Sequence, residues 1–202
     1  MADVKGRVSY RQVQAQETRE RIAAAARKLF TERGYASTSI EAIAAEVGVA
    51  VRTVYAAYGN KMAILGAICQ AWLVEADVLT TIQRASLANE PREVCALLAR
   101  ASRNQWEIGG DILDMLQAAA AIDREIADLL RGWAANREDG MGAAIRGIAG
   151  GLRKGLEQRR ANAIVRALTA PSVYQSLVRE SGWTPRQYEE WLTASLAQQL
   201  LG

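Results

Sequence analysis

The chain has 202 residues, half of them apolar and 23% charged. That is room for one large or two small domains around a sizeable core, with no need of a metal or disulfide staple. There is no histidine, which excludes Ser-His-Asp and Cys-His nucleophiles and any His-bearing zinc site. Two cysteines, Cys69 and Cys95, are too few for a four-thiolate zinc site and sit within apolar helical patterns, so a structural disulfide is not expected. Net charge is +3, and the basic excess is N-terminal: residues 1–61 hold ten Lys/Arg against six Asp/Glu, and residues 62–202 hold 15 against 16.

In chain order, alternating β-branched runs are missing and helix-period apolar patterns fill nearly every segment, so the expected fold class is all-α. The first helix is expected over Thr18 to Arg33, with Ile22, Ala25, Ala26, Leu29 and Phe30 on one stripe and Gly34 as a left-handed stop. Thr38-Ser39-Ile40-Glu41 has capping-box spacing, with Thr38 as the cap, and opens a second helix through Ile43, Ala44 and Val47 that ends at Gly48. A third, barely two turns long, begins near Ala50, turns Val54 and Tyr58 inward and stops at Gly59-Asn60. From Lys61 to about Asn89 the pattern predicts one long helix, broken by Asn89-Glu90-Pro91. Further helices are expected over Arg92 to Glu107, Ile112 to Ala121, Asp123 to Gly150, Glu157 to Arg179 with a break at Pro171, and Pro185 to Leu200. Gly147, Gly150, Gly151 and Gly155 lie in helical periodicity with no strand before them, which argues against a phosphate-binding loop. No apolar run reaches the ~18 residues of a membrane span, and Met1 to Gln14 lacks the apolar centre of a secretory signal, so a cytoplasmic address is expected.

Two short helices joined through Glu46-Val47-Gly48-Val49 make a helix-turn-helix, which places its second helix in the DNA major groove. The same geometry also occurs in all-α proteins that never touch DNA, so the side chains decide. The exposed face of the third helix offers Val51, Arg52, Thr53 and Tyr55, and Lys61 follows. These are an apolar group for a thymine methyl, one guanine reader, hydroxyls for phosphates, and a cation for the backbone. Lys5, Arg7 and Arg11 precede the first helix as either a minor-groove arm or a solvated tail.

Thr18 to Ile68 resembles the DNA-binding domain of the tetracycline-repressor (TetR) family of bacterial transcription regulators. The matching residues are Thr18-Arg19-Glu20-Arg21-Ile22, Leu29-Phe30, Glu32-Arg33-Gly34-Tyr35, Thr38-Ser39-Ile40, Val47-Gly48-Val49, Thr53-Val54-Tyr55, Tyr58 and Lys61 with Ile64-Leu65. Beyond it, Pro171, Tyr174, Gly182-Trp183, Pro185 and Tyr188 resemble the C-terminal helices of some members. Two positions depart from the family's pattern: Ala50 stands where Ser usually caps the recognition helix, and Ala57 where His often contacts a phosphate.

The resemblance implies an N-terminal arm and three-helix DNA-binding domain over residues 1–61, and a C-terminal helical bundle over 62–202 for ligand binding and dimerisation. It implies Thr38 and Tyr55 as phosphate donors, Lys61 as a phosphate cation, and Val51, Arg52 and Thr53 nearest base edges. Tyr55 has the alternative of packing on the first helix. The expected partners are double-stranded DNA carrying a palindromic operator, a second copy of the chain and an unidentified small-molecule effector, with no membrane, metal or cofactor and no enzymatic activity. Ile164, Val165, Leu168, Leu192, Leu196 and Leu200 are spaced for helix packing across the dimer. Trp72, Trp106, Trp133, Met115 and Gln117 are candidates for the effector pocket, with core packing as the competing reading of the tryptophans. Two other functions stay open: a bundle that only dimerises or recruits a protein, and an enzyme using Asp111, Asp114 or Asp123.

Overall fold

The computed structural model describes residues 10–202, and among them it is all-helical. α1 (Tyr10–Arg33) buries Ile22, Ala26, Leu29 and Phe30 and stops at Gly34, whose φ of 84° suits only glycine without strain. It starts eight residues earlier than apolar periodicity predicts, because its first two turns are exposed. Arg11 is therefore a residue of α1 and not of an arm, while Lys5 and Arg7 lie outside the described residues. α2 (Ile40–Val47) is capped by Ser39, whose Oγ accepts from the Ala42 amide, and ends at left-handed Gly48. α3 (Val51–Tyr58) begins at Ala50 with no side-chain cap.

The long helix expected from Lys61 is two. α4 (Lys61–Glu75), capped by Asn60, and α5 (Val78–Leu87) meet at a 51° bend, where Asp77 takes a left-handed φ of 50°. Asp tolerates that conformation, and Ala76 and Val78 are buried on either side, so packing rather than a Gly or Pro signal sets the break. The two helices expected on either side of Gly109-Gly110 meet there: α6 (Pro91–Ala120) is broken by a kink at Gly109, whose backbone (φ −123°, ψ 20°) is not helical. α7 (Arg124–Gly147), capped by Asp123, is followed by a 3₁₀ turn at Ala149–Gly151. α8 (Gln158–Leu168), α9 (Pro171–Tyr174, continuing as a π-helical stretch over Gln175–Glu180) and α10 (Pro185–Leu200) complete the bundle.

One continuous core threads the molecule. α10 lies along α6, and α5 packs on both α6 and α7. Val165, Leu192, Leu196 and Leu200 point into this core and are almost wholly buried within one chain. That corrects their expected place at a dimer contact, because a helix spends its most apolar stripe on its own bundle first. Ile164 and Leu168 stay half-buried. Among the described residues no single helix is long and apolar enough to cross a membrane.

Candidate nucleic-acid interface

α1 is the frame on which α2 and α3 are mounted. Arg21 donates to the Val47 carbonyl at the end of α2 (2.8 Å), and Arg19 donates to the Ala57 carbonyl near the end of α3. Tyr58 returns the contact: its hydroxyl donates to the Arg19 carbonyl (2.9 Å), and the Arg19 guanidinium lies 4.5 Å from its ring centre. Lys28 on α1 pairs with Glu46 on α2 at 2.7 Å, which raises the ammonium pKa and lowers that of the carboxylate. With its C-terminal end fastened to α1 and Val54 buried, α3 shows its other face to solvent.

On that face Arg52 is exposed, Tyr55 is 49% exposed, and Val51 and Thr53 are half-buried beside them. Tyr55 is not packed away on α1, so its hydroxyl and the Arg52 guanidinium are available to a partner.

Thr38 and Lys61 are placed differently from expectation. Thr38 is 1% exposed, and its hydroxyl donates to the carbonyls of Gly34 (2.9 Å) and Leu29 (3.2 Å). In this arrangement it closes the turn between α1 and α2 and has no hydroxyl to offer a phosphate. The helix cap it was expected to supply comes from Ser39, one residue later. The Lys61 ammonium donates to the Tyr35 (2.8 Å) and Thr38 (3.0 Å) carbonyls and lies 4.3 Å from the Tyr35 ring centre. Desolvation holds its pKa below the usual lysine range, with Asp123 opposing. Two of its three N–H donors thus brace the same turn.

The interface is tied to the bundle at the α6 kink. Arg27 on α1 donates to both Asp111 carboxylate oxygens (2.9 and 3.1 Å) and to the Ile108 carbonyl (3.0 Å). From the other side, Trp72 on α4 donates to the Gln105 carbonyl (2.9 Å). Gly109 leaves room for that indole: a Cβ there would fall 1.9 Å from Trp72 Nε1. No short-range sequence signal could reveal the Arg27 contact, whose partners lie 81 and 84 residues away.

Of the residues expected around an effector, three come together. The ring centres of Trp72 and Trp106 are 6.3 Å apart and those of Trp72 and Trp133 6.2 Å apart, with Trp106 Nε1 donating to the Thr169 carbonyl. Met115 is elsewhere, in a groove of about 560 Å³ between α6 and the Phe30–Ser37 turn, and Gln117 is exposed. Asp111, Asp114 and Asp123 have structural partners: Arg27, then Gln175 with Arg179, and the first amides of α7.

Residues 22–68, from α1 into α4, match the family model for bacterial regulatory proteins of the tetR family. Among solved structures, SmeT bound to triclosan superposes with a TM-score of 0.77 at 21% identity over 93% of each chain. SmeT is the repressor of the Stenotrophomonas maltophilia multidrug efflux pump SmeDEF. NalD, the secondary repressor of the MexAB-OprM multidrug efflux pump in Pseudomonas aeruginosa, gives 0.71 at 21% identity over 93% of this chain and 97% of that one. A transcriptional regulator from Saccharomonospora viridis in complex with choline gives 0.67 at 18% identity over 93% and 99%. No curated protein matches the sequence. Residues 22–68 thus resemble the bacterial regulatory proteins of the tetR family, and the whole described chain shares its all-helical fold with SmeT and NalD.

Proposed function

We propose that the protein is a dimeric, sequence-specific DNA-binding repressor, released from a palindromic operator by a small molecule in its helical bundle. The observation that carries this reading is the α3 face: a short helix fastened to α1 at its C-terminal end and seated on the core by Val54, with Arg52 and Tyr55 free to solvent. Arg52 reads a guanine edge, Val51 and Thr53 line neighbouring bases, and Tyr55 holds a phosphate. The division near residue 61 separates this reading head from a bundle that binds the effector and pairs two copies. Two-fold symmetry then sets two α3 helices at half-site spacing. In the dimer the outward residues of α8 and α10, Ile164 and Leu168 among them, supply the contact. Effector binding is supported by SmeT and the S. viridis regulator, whose structures hold triclosan and choline.

Release requires that the effector favour a conformation in which the two α3 helices no longer match the half-sites, and linkage makes the effect reciprocal. The joint for this is the α6 kink, where Arg27 and Trp72 take carbonyls on one turn. The test begins by selecting duplexes from a random pool with the purified protein. A palindromic consensus, a dimer by light scattering and affinity falling steeply with salt are expected. A monomer, or no enrichment, overturns the reading. With the operator in hand, Arg27→Ala should leave DNA binding nearly intact while removing the effect of an effector on it.

A further inference from the structure

One half-buried cation of the bundle makes its hydrogen bonds to neutral groups alone. Arg137 sits on α7, one turn beyond Trp133, with its guanidinium carbon 5.3 Å from the ring centre of Trp106. Its Nε donates to the Gln105 side-chain oxygen (3.2 Å) and its Nη2 to the Thr169 carbonyl (2.7 Å). Both acceptors are neutral. Arg27, Arg100, Arg103 and Arg179 on the surrounding helices each hold a carboxylate. The nearest acid in sequence, Glu138, is paired with Arg166. Desolvation pulls the Arg137 pKa down to about 10, which still leaves it charged at neutral pH. Glu138 acts on Arg137 from the cavity edge but is bonded to Arg166, so a half-buried cation whose own hydrogen bonds go to neutral acceptors keeps charge to offer a ligand.

Space adjoins it. A cavity of about 80 Å³ between α7 and α8 is lined by Arg137, Asn162, Ala134, Met141, Gly142 and Val165, with the Glu138–Arg166 pair at its edge. Gly142 keeps it open, since a Cβ there would press within 3.3 Å of the Asn162 amide nitrogen. A guanidinium has five N–H donors, and two are engaged. The remaining three, with the Asn162 amide, suit the two oxygens of a carboxylate. One cation and one amide are too few for a phosphate dianion, and the same charge disfavours a quaternary ammonium.

We propose that Arg137 anchors the effector and that the effector is an organic carboxylate with an apolar body, its head on Arg137 and Asn162 and its body against Ala134, Met141 and Val165. This rests on the effector-released reading above and names the chemistry of its ligand. A carboxylate on the free N–H groups of Arg137 draws the guanidinium toward α8 and so strains its bonds to Gln105 and Thr169. Gln105 is also the residue whose carbonyl receives Trp72, so the disturbance begins one turn from the α6 kink.

The test is calorimetric titration of the DNA-free protein with straight-chain and aryl carboxylates from butyrate to 1-naphthoate, each beside its primary amide. At least one acid should bind tenfold or more tightly than its amide. The preference should vanish in Arg137→Gln and partly survive in Arg137→Lys, with circular dichroism and melting showing both folded. If Arg137→Gln does not fold, the acid-over-amide ratio in the unaltered protein together with Arg137→Lys and Asn162→Ala decides. No binding by any acid, equal binding by the amides, or a preference that persists without Arg137 overturns the proposal. Because no DNA is present, an acid that binds at Arg137 but leaves operator affinity unchanged refutes effector release and not this site.

Discussion

Arg52 and Tyr55 leave the same helix face, yet their chemistry separates them. A guanidinium that pairs with guanine distinguishes bases, so Arg52→Ala should cost about 1 to 3 kcal/mol on the preferred operator and relax selection at one base pair per half-site. Tyr55→Phe should weaken all sequences alike, because a phosphate carries no sequence information. Anisotropy titrations on the consensus and on single-base variants separate the two outcomes. Ala50 offers a change in the opposite direction. It has an N-cap's extended backbone (φ −67°, ψ 144°) but no side chain to accept from the first amides of α3. Ala50→Ser should therefore stabilise the protein by about 0.5 to 2 kcal/mol, read from its urea midpoint, since Ser fits this backbone and restores the missing acceptor.

Among the elements, α6 holds the molecule's most constrained glycine. Gly109→Ala places a Cβ against the five-membered ring of Trp72, and an indole wedged between α4 and α6 has no free rotamer to retreat to. We expect a loss of about 1 to 3 kcal/mol in urea unfolding, partly recovered in the double variant with Trp72→Phe, whose smaller ring vacates the space. The helix ends that could be read along the chain share one property: their chemistry is local. Gly34, Gly48, Asn60 and the capping box of Thr184 with Gln187 act within four residues of where they stand. The break at Asp77 depends on what packs against it, so periodicity misplaced it, whereas the interruption of α6 falls at Gly109, between the two helices the pattern separates. The site divides in the same way. The α3 face follows from spacing within two turns, whereas Thr38 and Lys61 turned inward because carbonyls 4 to 26 residues away captured them. Arg137 was illegible as an anchor because its partners lie 32 residues off in both directions.

At the scale of the whole molecule, the thiols report on the integrity of the core. Cys69 and Cys95 are fully buried, and burial alone pushes the first to about 12, while for the second it prevails over Arg92 to give about 11. Unfolded thiols titrate near 8.5. Their neutral form is thus favoured by folding: the contribution is complete below the unfolded value and lost as pH rises toward the folded values. Stability should decline above about pH 9, and replacing both cysteines by alanine should flatten that alkaline limb in pH-dependent melts, at the cost of a lower plateau. A different consequence follows from α10 lying along α6. Tyr188 reaches Ser102 and Glu189 reaches Arg103, each across 86 residues of chain. Tyr188, Leu192, Leu196 and Leu200 complete the core from the far end of the sequence. On a ribosome, α6 must wait through the synthesis of nearly half the chain before its partner emerges, a long loop closure that slows folding and leaves apolar surface exposed meanwhile. Chains halted before Thr184 should bind a hydrophobic dye and seek chaperones, and should lose both on release of the full-length product.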